Sequence, residues 1–275
     1  MSAYETMFNV EGHTAVITGG GGVLGSAIAR ALAQVGVRVA VISLHAASSA
    51  KVVAAIQAAG GAALGLACDV TDRTALEQAR AEIIQRFGSL QILINGAGGN
   101  QPAATTSAER SFFELDQQAL ADVFNLNFTG TLLACQVFGQ SMVEQGYGAI
   151  VNIASMNALR PLTRIPAYSA AKAAVANFTQ WLAVHMAQEY QGQIRVNALA
   201  PGFFLTAQNR FLLTEAGTGA LTARGQAILD HTPLKRFGVP EDLVGTVLWL
   251  VSPAARFVTG TMIPVDGGFA AFGGI

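Results

Sequence analysis

Seven short apolar segments of strand length recur along the chain, and longer segments with helical spacing separate them. Strands this uniformly apolar are typical of a parallel sheet that is covered by helices on both faces. Right-handed crossovers then wind such a sheet doubly. The predicted strands are residues 14–18, 37–43, 62–70, 90–95, 148–155, 193–200 and 261–265.

The helical segments complete a repeated β-α alternation. They are one that ends at Gly36, two that end near Gly60 and Gly88, and helices at about 116–145, 167–190 and 240–251. No linker, charge block or repeat divides the chain, so we predict one α/β domain over residues 1–275. The least regular part, about 203–238, is predicted to form a substrate loop or lid.

Charge and hydropathy narrow the classes of partner. The chain has 275 residues and a net charge of -1 at pH 7, which offers no electrostatic case for nucleic acid or an anionic membrane. Mean hydropathy is +0.43, yet the apolar runs stop well short of a membrane span. The N-terminal stretch MSAYETMFNVEGH lacks the regions of a secretory signal. We therefore expect a cytoplasmic protein with no membrane partner.

The cysteines and histidines do not form a metal motif. Cys68 and Cys135 have no metal-ligand spacing, and the four histidines are scattered along the chain. We expect two free buried thiols in a reducing compartment and no metal site.

The stretch TGGGGVLG, residues 18–25, places five glycines directly after the first predicted strand. Glycine lets a ligand approach the main chain, and the N-terminus of the following helix offers N–H groups and a positive dipole end. In this context the loop predicts a dinucleotide site. A glycine turn that serves only packing is the other interpretation.

Further motifs follow in a fixed order along the chain. They are Asp69 after the third strand, Asn95-Gly96-Ala97-Gly98, Asn127 in an N-x-x-G, Ser155, Tyr168, Lys172 and the turn Pro201-Gly202. Together with Thr18, Gly19 and Gly25, they resemble the short-chain dehydrogenase/reductase family over nearly the whole chain. Val23 departs from the family's loop, which usually has Gly or Ala there.

This resemblance implies a single-domain, doubly wound Rossmann sheet and an oxidoreductase that uses NAD or NADP. The implied cofactor site consists of Gly19, Gly21, Gly22, Val23, Leu24, Ser43, Leu44, His45, Asp69, Val70, Asn95, Gly96, Ala97, Gly98, Tyr168, Lys172, Pro201 and Gly202. At the end of the second strand, Ser43 and His45 could serve either cofactor, since neither an acid nor an Arg or Lys stands there. The choice between NAD and NADP stays open.

The spacing of three residues permits acid–base chemistry. Tyr168 and Lys172 are one helical turn apart, and Ser155 lies at the carboxyl end of a central strand. A nearby ammonium is expected to lower the phenol pKa from about 10, so that Tyr168 can exchange a proton. Ser155 would polarise the carbonyl. By resemblance, Lys172 also binds the nicotinamide ribose, and Asn127 holds a water in a proton relay.

Several stretches, above all APGFFLTAQNR, resemble the D-mannonate oxidoreductase (fructuronate reductase) subgroup of the family. That subgroup implies reversible reduction of the C5 ketone of D-fructuronate to D-mannonate. A sugar acid needs a cation for its carboxylate and hydrogen-bonding groups for its hydroxyls. The candidates are Asn100, Ser155, Asn157, Arg160, Arg164, Gln208, Asn209 and Arg210, with Arg210 favoured.

Two other functions are weighed against this one. The first is a reductase of another carbonyl substrate, such as another keto sugar acid or a 3-oxoacyl thioester. The second is a dinucleotide sensor without turnover, which the presence of both Tyr168 and Lys172 disfavours.

The resemblance also suggests a homotetramer, or a homodimer, that uses the helices at 116–145 and 168–190 and the C-terminal strand. The apolar tail GGFAAFGGI packs either at that interface or on its own subunit.

Overall fold

The computed structural model describes residues 6–190, 193–205, 210–215 and 217–274. Seven strands form one sheet in the order β3-β2-β1-β4-β5-β6-β7, and every neighbouring pair is parallel. The strands are β1 Thr14–Thr18, β2 Arg38–Ser43, β3 Ala63–Ala67, β4 Ile92–Asn95, β5 Tyr147–Ile153, β6 Gln193–Pro201 and β7 Met262–Val265. Strand order therefore reverses between β1 and β4, where doubly wound sheets open their ligand crevice.

Helices cover both faces of this sheet. They are α1 Val23–Gln34, α2 Ala46–Ala58, α3 Arg73–Phe87, α4 Gln117–Phe124, α5 Gly130–Gln145, α6 Pro166–Glu189, α7 Arg210–Leu213, α8 Ala223–Asp230 and α9 Val244–Val251. Their ends follow from local chemistry. Asp72 caps α3 by accepting hydrogen bonds from the N–H groups of Thr74 and Ala75, and Gly88 ends it in the left-handed conformation.

The alternation of side chains along the strands divides the core into two layers. Val16 and Leu93 belong to one buried cluster, which also contains Phe138 of α5. Ile17 and Ile94, their neighbours in sequence, belong to the other cluster with Ile28 of α1. Both faces of the central strands are thus apolar and buried, which explains their continuous hydrophobic sequence.

The predicted doubly wound parallel sheet is confirmed, with all seven strands in the predicted sequence positions. Two expectations need correction. The helix predicted at 116–145 is interrupted by a five-residue π-helical turn, Asn125–Thr129. The stretch 203–238 is less irregular than expected, because it contains α7, α8 and an antiparallel bridge between Thr214 and Leu221.

Both cysteines are free and buried. Within the described ranges, no helix is long and apolar enough to cross a membrane.

Candidate active site

The glycine loop lies between β1 and α1 and packs tightly against neighbouring main chain. Gly19 has a φ of 66°, and a Cβ there would lie 2.5 Å from the Gly96 carbonyl oxygen. A Cβ at Gly25 would lie 2.5 Å from the carbonyl oxygen of Gly19. Gly22 is the N-cap of α1 and supplies no side-chain cap. The loop therefore needs glycine for packing, and it also leaves the first-turn N–H groups of α1 available to an anion.

Val23, which departs from the family's loop, is the first residue of α1. It is half-buried, as is Leu24 beside it. A Cβ at the preceding Gly22 would lie 3.2 Å from the Gly19 carbonyl oxygen. Gly22 thus allows the close approach to the Gly19 carbonyl at the start of α1, and the β-branched Val23 lies within the helix.

The end of β2 borders this loop. The Ser43 hydroxyl accepts a hydrogen bond of 2.9 Å from the Gly21 N–H, and a Cβ at Gly21 would lie 2.5 Å from that hydroxyl. Leu44 and His45 are exposed beside it. Ser43 therefore fixes the glycine loop, and Leu44 and His45 are the accessible side chains at this end of the strand.

Asp69 and Val70, which follow β3, have different environments. Asp69 is exposed, and its carboxylate accepts hydrogen bonds from the Thr71 N–H at 2.9 Å and the Thr71 hydroxyl at 2.7 Å. Val70 is buried, and a Cβ at Gly130 would lie 2.6 Å from its methyl group. Asp69 is thus held in one orientation at the carboxyl edge of the sheet, whereas Val70 is a packing residue.

The turn after β4 starts with a side chain that faces the interior. Asn95 is buried, and its amide donates to the Asn152 carbonyl oxygen at 2.9 Å and to the Cys135 sulfur at 3.1 Å. Asn152 in turn donates to the Thr179 hydroxyl at 2.9 Å. The amide nitrogen of Asn95 thus joins the start of the turn Gly96–Gly98 to β5 and α5, while its side-chain oxygen is buried without a partner. Its place in the cofactor site stays a prediction.

Three of the predicted catalytic and cofactor residues, Gly98, Asn127 and Lys172, meet at Gly98. A Cβ on Gly98 would lie 2.5 Å from the Asn127 side-chain oxygen and 3.2 Å from the Lys172 Nζ. Asn127 is fully buried within the π-helical turn. Its amide donates to the carbonyl oxygens of Gly99 and Val123, both at 2.7 Å, and accepts from the Gly99 N–H at 3.2 Å. The side chain of Asn127 therefore fixes the turn beside Lys172.

Ser155, Tyr168 and Lys172 converge above the end of β5. The Ser155 hydroxyl accepts from the Asn157 N–H at 3.2 Å and shares a hydrogen bond with the Tyr168 phenol. Lys172 is 4% exposed. Its Nζ donates to the Ile153 carbonyl oxygen at 2.8 Å and lies 5.6 Å from the centroid of the Tyr168 ring. This arrangement places a hydroxyl, a phenol and an ammonium side by side.

Burial controls the electrostatics of this cluster. It raises the pKa of the Tyr168 phenol, and the hydrogen bond from Ser155 opposes that rise. Burial also lowers the pKa of the Lys172 ammonium to about 8. The expectation that Lys172 lowers the phenol pKa is therefore wrong for the protein by itself. Tyr168 packs against the apolar cluster of Ala104 and Ala119, and desolvation is the largest cause of its raised pKa.

The predicted substrate residues do not all approach this cluster. The Asn100 amide donates to the Thr105 hydroxyl at 2.8 Å, and the buried Asn157 accepts from the Leu162 N–H at 3.0 Å. These two side chains hold their own loops. Gln208 and Asn209 lie outside the described residues. Arg210 is the exposed first residue of α7.

The two arginines after Ser155 have different surroundings. Arg160 donates from Nε to the Ala270 carbonyl oxygen at 3.3 Å. Arg164 has a φ of 78° and lines a cleft of about 600 Å³ together with Phe112 and Ser169. Asn157 and Ser169, the neighbours of Ser155 and Tyr168 in sequence, line the same cleft. A role of Arg164 in substrate binding stays a prediction.

Sequence reasoning missed Asp266, which follows β7. A Cβ at Gly202 of the Pro201-Gly202 turn would lie 2.7 Å from the Asp266 Cα. The Asp266 carboxylate accepts from the N–H groups of Gly268 at 2.9 Å and Ala270 at 2.8 Å. The sequence Asp-Gly-Gly after a strand is a turn signature that could have identified it.

The glycine loop at the switch point of the sheet and the Ser-Tyr-Lys cluster beside it define a dinucleotide-binding α/β protein. A family model described as enoyl-(acyl carrier protein) reductase matches residues 22–270. The chain belongs to the short-chain dehydrogenase/reductase family.

Three relatives illustrate the range of this similarity. The chain is 50% identical to an uncharacterized oxidoreductase, UxuB, of Bacillus subtilis, over 97% of this chain and 98% of that one. It is 32% identical to the 2-dehydro-3-deoxy-D-gluconate 5-dehydrogenase of Dickeya dadantii, over 96% and 98%. A crystal structure of a candidate D-mannonate oxidoreductase from Haemophilus influenzae, with bound NAD, has a TM-score of 0.91 and 44% identity and covers 97% and 98%.

Proposed function

We propose that this protein is an NAD(P)-dependent oxidoreductase that interconverts a secondary alcohol and a ketone on a sugar acid. The most specific form of the proposal is reversible reduction of D-fructuronate to D-mannonate. The observation that carries the general proposal is the convergence of Ser155, Tyr168 and Lys172 beside the Gly98 turn. The structural neighbour with NAD and the gluconate-type relative support the sugar-acid substrate.

The residues present fit a dinucleotide. Gly22 is exposed at the N-terminus of α1 and supplies no side-chain cap, so the first-turn N–H groups of α1 are available to a pyrophosphate. Gly98 keeps the space beside Lys172 free of a side chain. When bound, the nicotinamide supplies or accepts the hydride. Ser43, Leu44 and His45 are compatible with NAD and with NADP.

The roles of the chain's own residues follow from their positions. The Ser155 hydroxyl donates a hydrogen bond to the substrate oxygen and polarises the carbonyl. The Tyr168 phenol gives its proton to that oxygen during reduction and takes it back during oxidation. Lys172 stabilises the phenolate with its charge. In the protein by itself, burial raises the pKa of the Tyr168 phenol. An oxidised nicotinamide would add a second positive charge to that of Lys172 and so lower this pKa.

A sugar acid needs a cation that can reach its carboxylate. Arg210 is the accessible cation for a carboxylate, since Arg160 and Arg164 have other neighbours. We propose that the segment 203–238, with its two short helices, acts as the substrate loop. A thioester substrate is the second candidate, because the matching family model is described as an enoyl-(acyl carrier protein) reductase.

A spectrophotometric assay tests this function. Purified protein is mixed with NADH or NADPH and, in turn, D-fructuronate, other keto sugar acids and a 3-oxoacyl thioester, and absorbance is followed at about 340 nm. We expect cofactor oxidation with D-fructuronate. Turnover only with another keto sugar acid would replace the substrate, turnover only with the thioester would favour the second candidate, and tight cofactor binding without any turnover would favour a sensor.

We also propose that the protein is a homotetramer or homodimer whose interface includes α5 and α6. A stripe of aromatic contacts runs from the end of α4 and the π-helical turn that precedes α5 along α6, and it is formed by ring pairs among Phe124, Phe128, Phe178, Trp181, His185 and Tyr190. Trp181 is 57% exposed at its centre. An exposed aromatic stripe of this kind is typical of a protein–protein interface.

A further inference from the structure

The last described part of the chain folds into a compact turn at the carboxyl edge of the sheet. We call residues 266–272 the C-terminal turn. Asp266 closes it by accepting from the N–H groups of Gly268 and Ala270, and Gly267 and Gly268 have φ values of 65° and 87°. The turn follows β7, and the parallel strands β5 and β6 end at the same edge. It therefore lies on the side of the molecule where Ser155 follows β5.

The C-terminal turn contacts the segment that leaves β6. The Gly202 N–H donates to the Val265 carbonyl oxygen at 3.0 Å, and the absence of a side chain at Gly202 makes room for Asp266. The ring of Phe203 packs on that of Phe269 with centroids 5.2 Å apart. Part of the apolar tail therefore contacts its own subunit.

The C-terminal turn also contacts the residues that follow α8. His231 packs on Phe269 at 4.6 Å and on Phe272 at 5.1 Å between ring centroids. A cavity of about 200 Å³ borders the base of the turn at Asp266 and Gly267. The C-terminal turn is therefore held on one side by aromatic contacts and borders open space at its base.

Arg160 contacts the C-terminal turn from the catalytic loop. It lies five residues after Ser155, and its N–H donates to the Met156 carbonyl oxygen at 2.9 Å. Its Nε donates to the Ala270 carbonyl oxygen, 110 residues away in sequence, at 3.3 Å. A charged donor to a carbonyl is stronger than a neutral one. The loop that carries Ser155 and the C-terminal turn are thus joined directly.

We infer that Arg160 is a positioning residue that holds the C-terminal turn against the catalytic loop, so that the turn forms one wall of the substrate cleft. The inference rests on the proposed function for the identity of the substrate. It differs from the sequence prediction that Arg160 binds the substrate carboxylate. A wall positioned in this way contributes to substrate binding and not to the chemical step, so its loss raises KM more than it lowers kcat.

The test compares Arg160→Met, Arg160→Lys and a control, Arg256→Met, which replaces an exposed arginine. Hydrogen–deuterium exchange reports on the C-terminal turn, and steady-state kinetics with saturating cofactor reports on D-fructuronate. In Arg160→Met we expect exchange at residues 268–270 to rise by about 10-fold or more, KM to rise by about 10-fold and kcat to change by less than about 3-fold. Arg160→Lys should restore part of both, because its ammonium can donate to the Ala270 carbonyl.

Each other outcome overturns the inference in a different way. A raised KM with unchanged exchange would mean that Arg160 contacts the substrate itself. Raised exchange with an unchanged KM would mean that the turn is not a wall of the cleft. If the wild-type protein turns over no carbonyl compound, the proposed function fails, and unchanged exchange in Arg160→Met then overturns the inference separately.

Discussion

At the scale of single residues, the catalytic cluster depends on the absence of a side chain at Gly98. Gly98 has an ordinary φ, so its role is to leave space and not to permit an unusual backbone. Asn127 and Lys172 both lie where a Cβ would project. The resemblance to a family motif identified Gly98, but the steric reason depends on residues 29 and 74 positions later, which no local pattern encodes.

We predict that Gly98→Ala displaces the Asn127 amide and the Lys172 ammonium and lowers kcat/KM by about 10- to 100-fold. Gly99→Ala is the matched control, because a Cβ there meets nothing within 4 Å. Steady-state kinetics of both variants measures the difference. Equal activity of the two variants would show that the crowding at Gly98 is irrelevant.

The buried ammonium of Lys172 predicts a pH dependence of stability. Its pKa in the folded protein is about 8, below the usual 10.5, so the unfolded chain binds more protons between these values. The free energy of unfolding therefore gains a contribution that increases as pH rises from about 8 to 10.5. Lys172→Met lacks this contribution.

We expect the difference in unfolding free energy, Lys172→Met minus wild type, to fall across that interval by about 3 kcal/mol. Urea denaturation of both proteins at several pH values measures it. A difference that stays constant with pH would mean that Lys172 has an ordinary pKa in the folded protein.

At the scale of elements, the sheet positions the site through a buried polar chain. The register of β4 and β5 places Asn95 opposite Asn152, and the chain continues to Thr179 on the helix that carries Tyr168 and Lys172. Sequence analysis predicted the strands and placed Asn95 at the cofactor. The direction of its side chain depends on partners in other elements, so it could not be obtained from the motif.

Asn95→Ala and Asn152→Ala should each lower the free energy of unfolding by about 1–3 kcal/mol, because each leaves a buried amide without its partner. The double variant should cost less than the sum of the two by at least about 0.5 kcal/mol. Urea denaturation of the four proteins completes the cycle. Strict additivity would contradict a coupled pair.

Some secondary-structure elements could be predicted from the sequence, and two turns could not. Seven strands and the long helices follow from hydrophobic periodicity, which is a local property. The π-helical turn Asn125–Thr129 and the C-terminal turn do not, because both make contacts with residues far away in the sequence, Asn127 with Gly99 and Ala270 with Arg160.

At the scale of the whole molecule, the exposed aromatic stripe along α4, the π-helical turn and α6 predicts association. Trp181→Glu places a charge at the centre of the stripe and should shift the protein to a smaller species, because an unpaired charge in an apolar interface is costly. Light scattering coupled to size exclusion measures the mass, and Val35→Glu, at the end of α1, is the control. An unchanged mass in Trp181→Glu would place the interface elsewhere.

The proposed function depends on proton transfer by the Tyr168 phenol next to a bound nicotinamide. The most direct measurement compares wild type and Tyr168→Phe for both cofactor binding and carbonyl reduction with the same cofactor. We predict an unchanged dissociation constant for the cofactor and a loss of turnover of about 100-fold or more, since only the acid is removed. Turnover that survives in Tyr168→Phe would contradict the account.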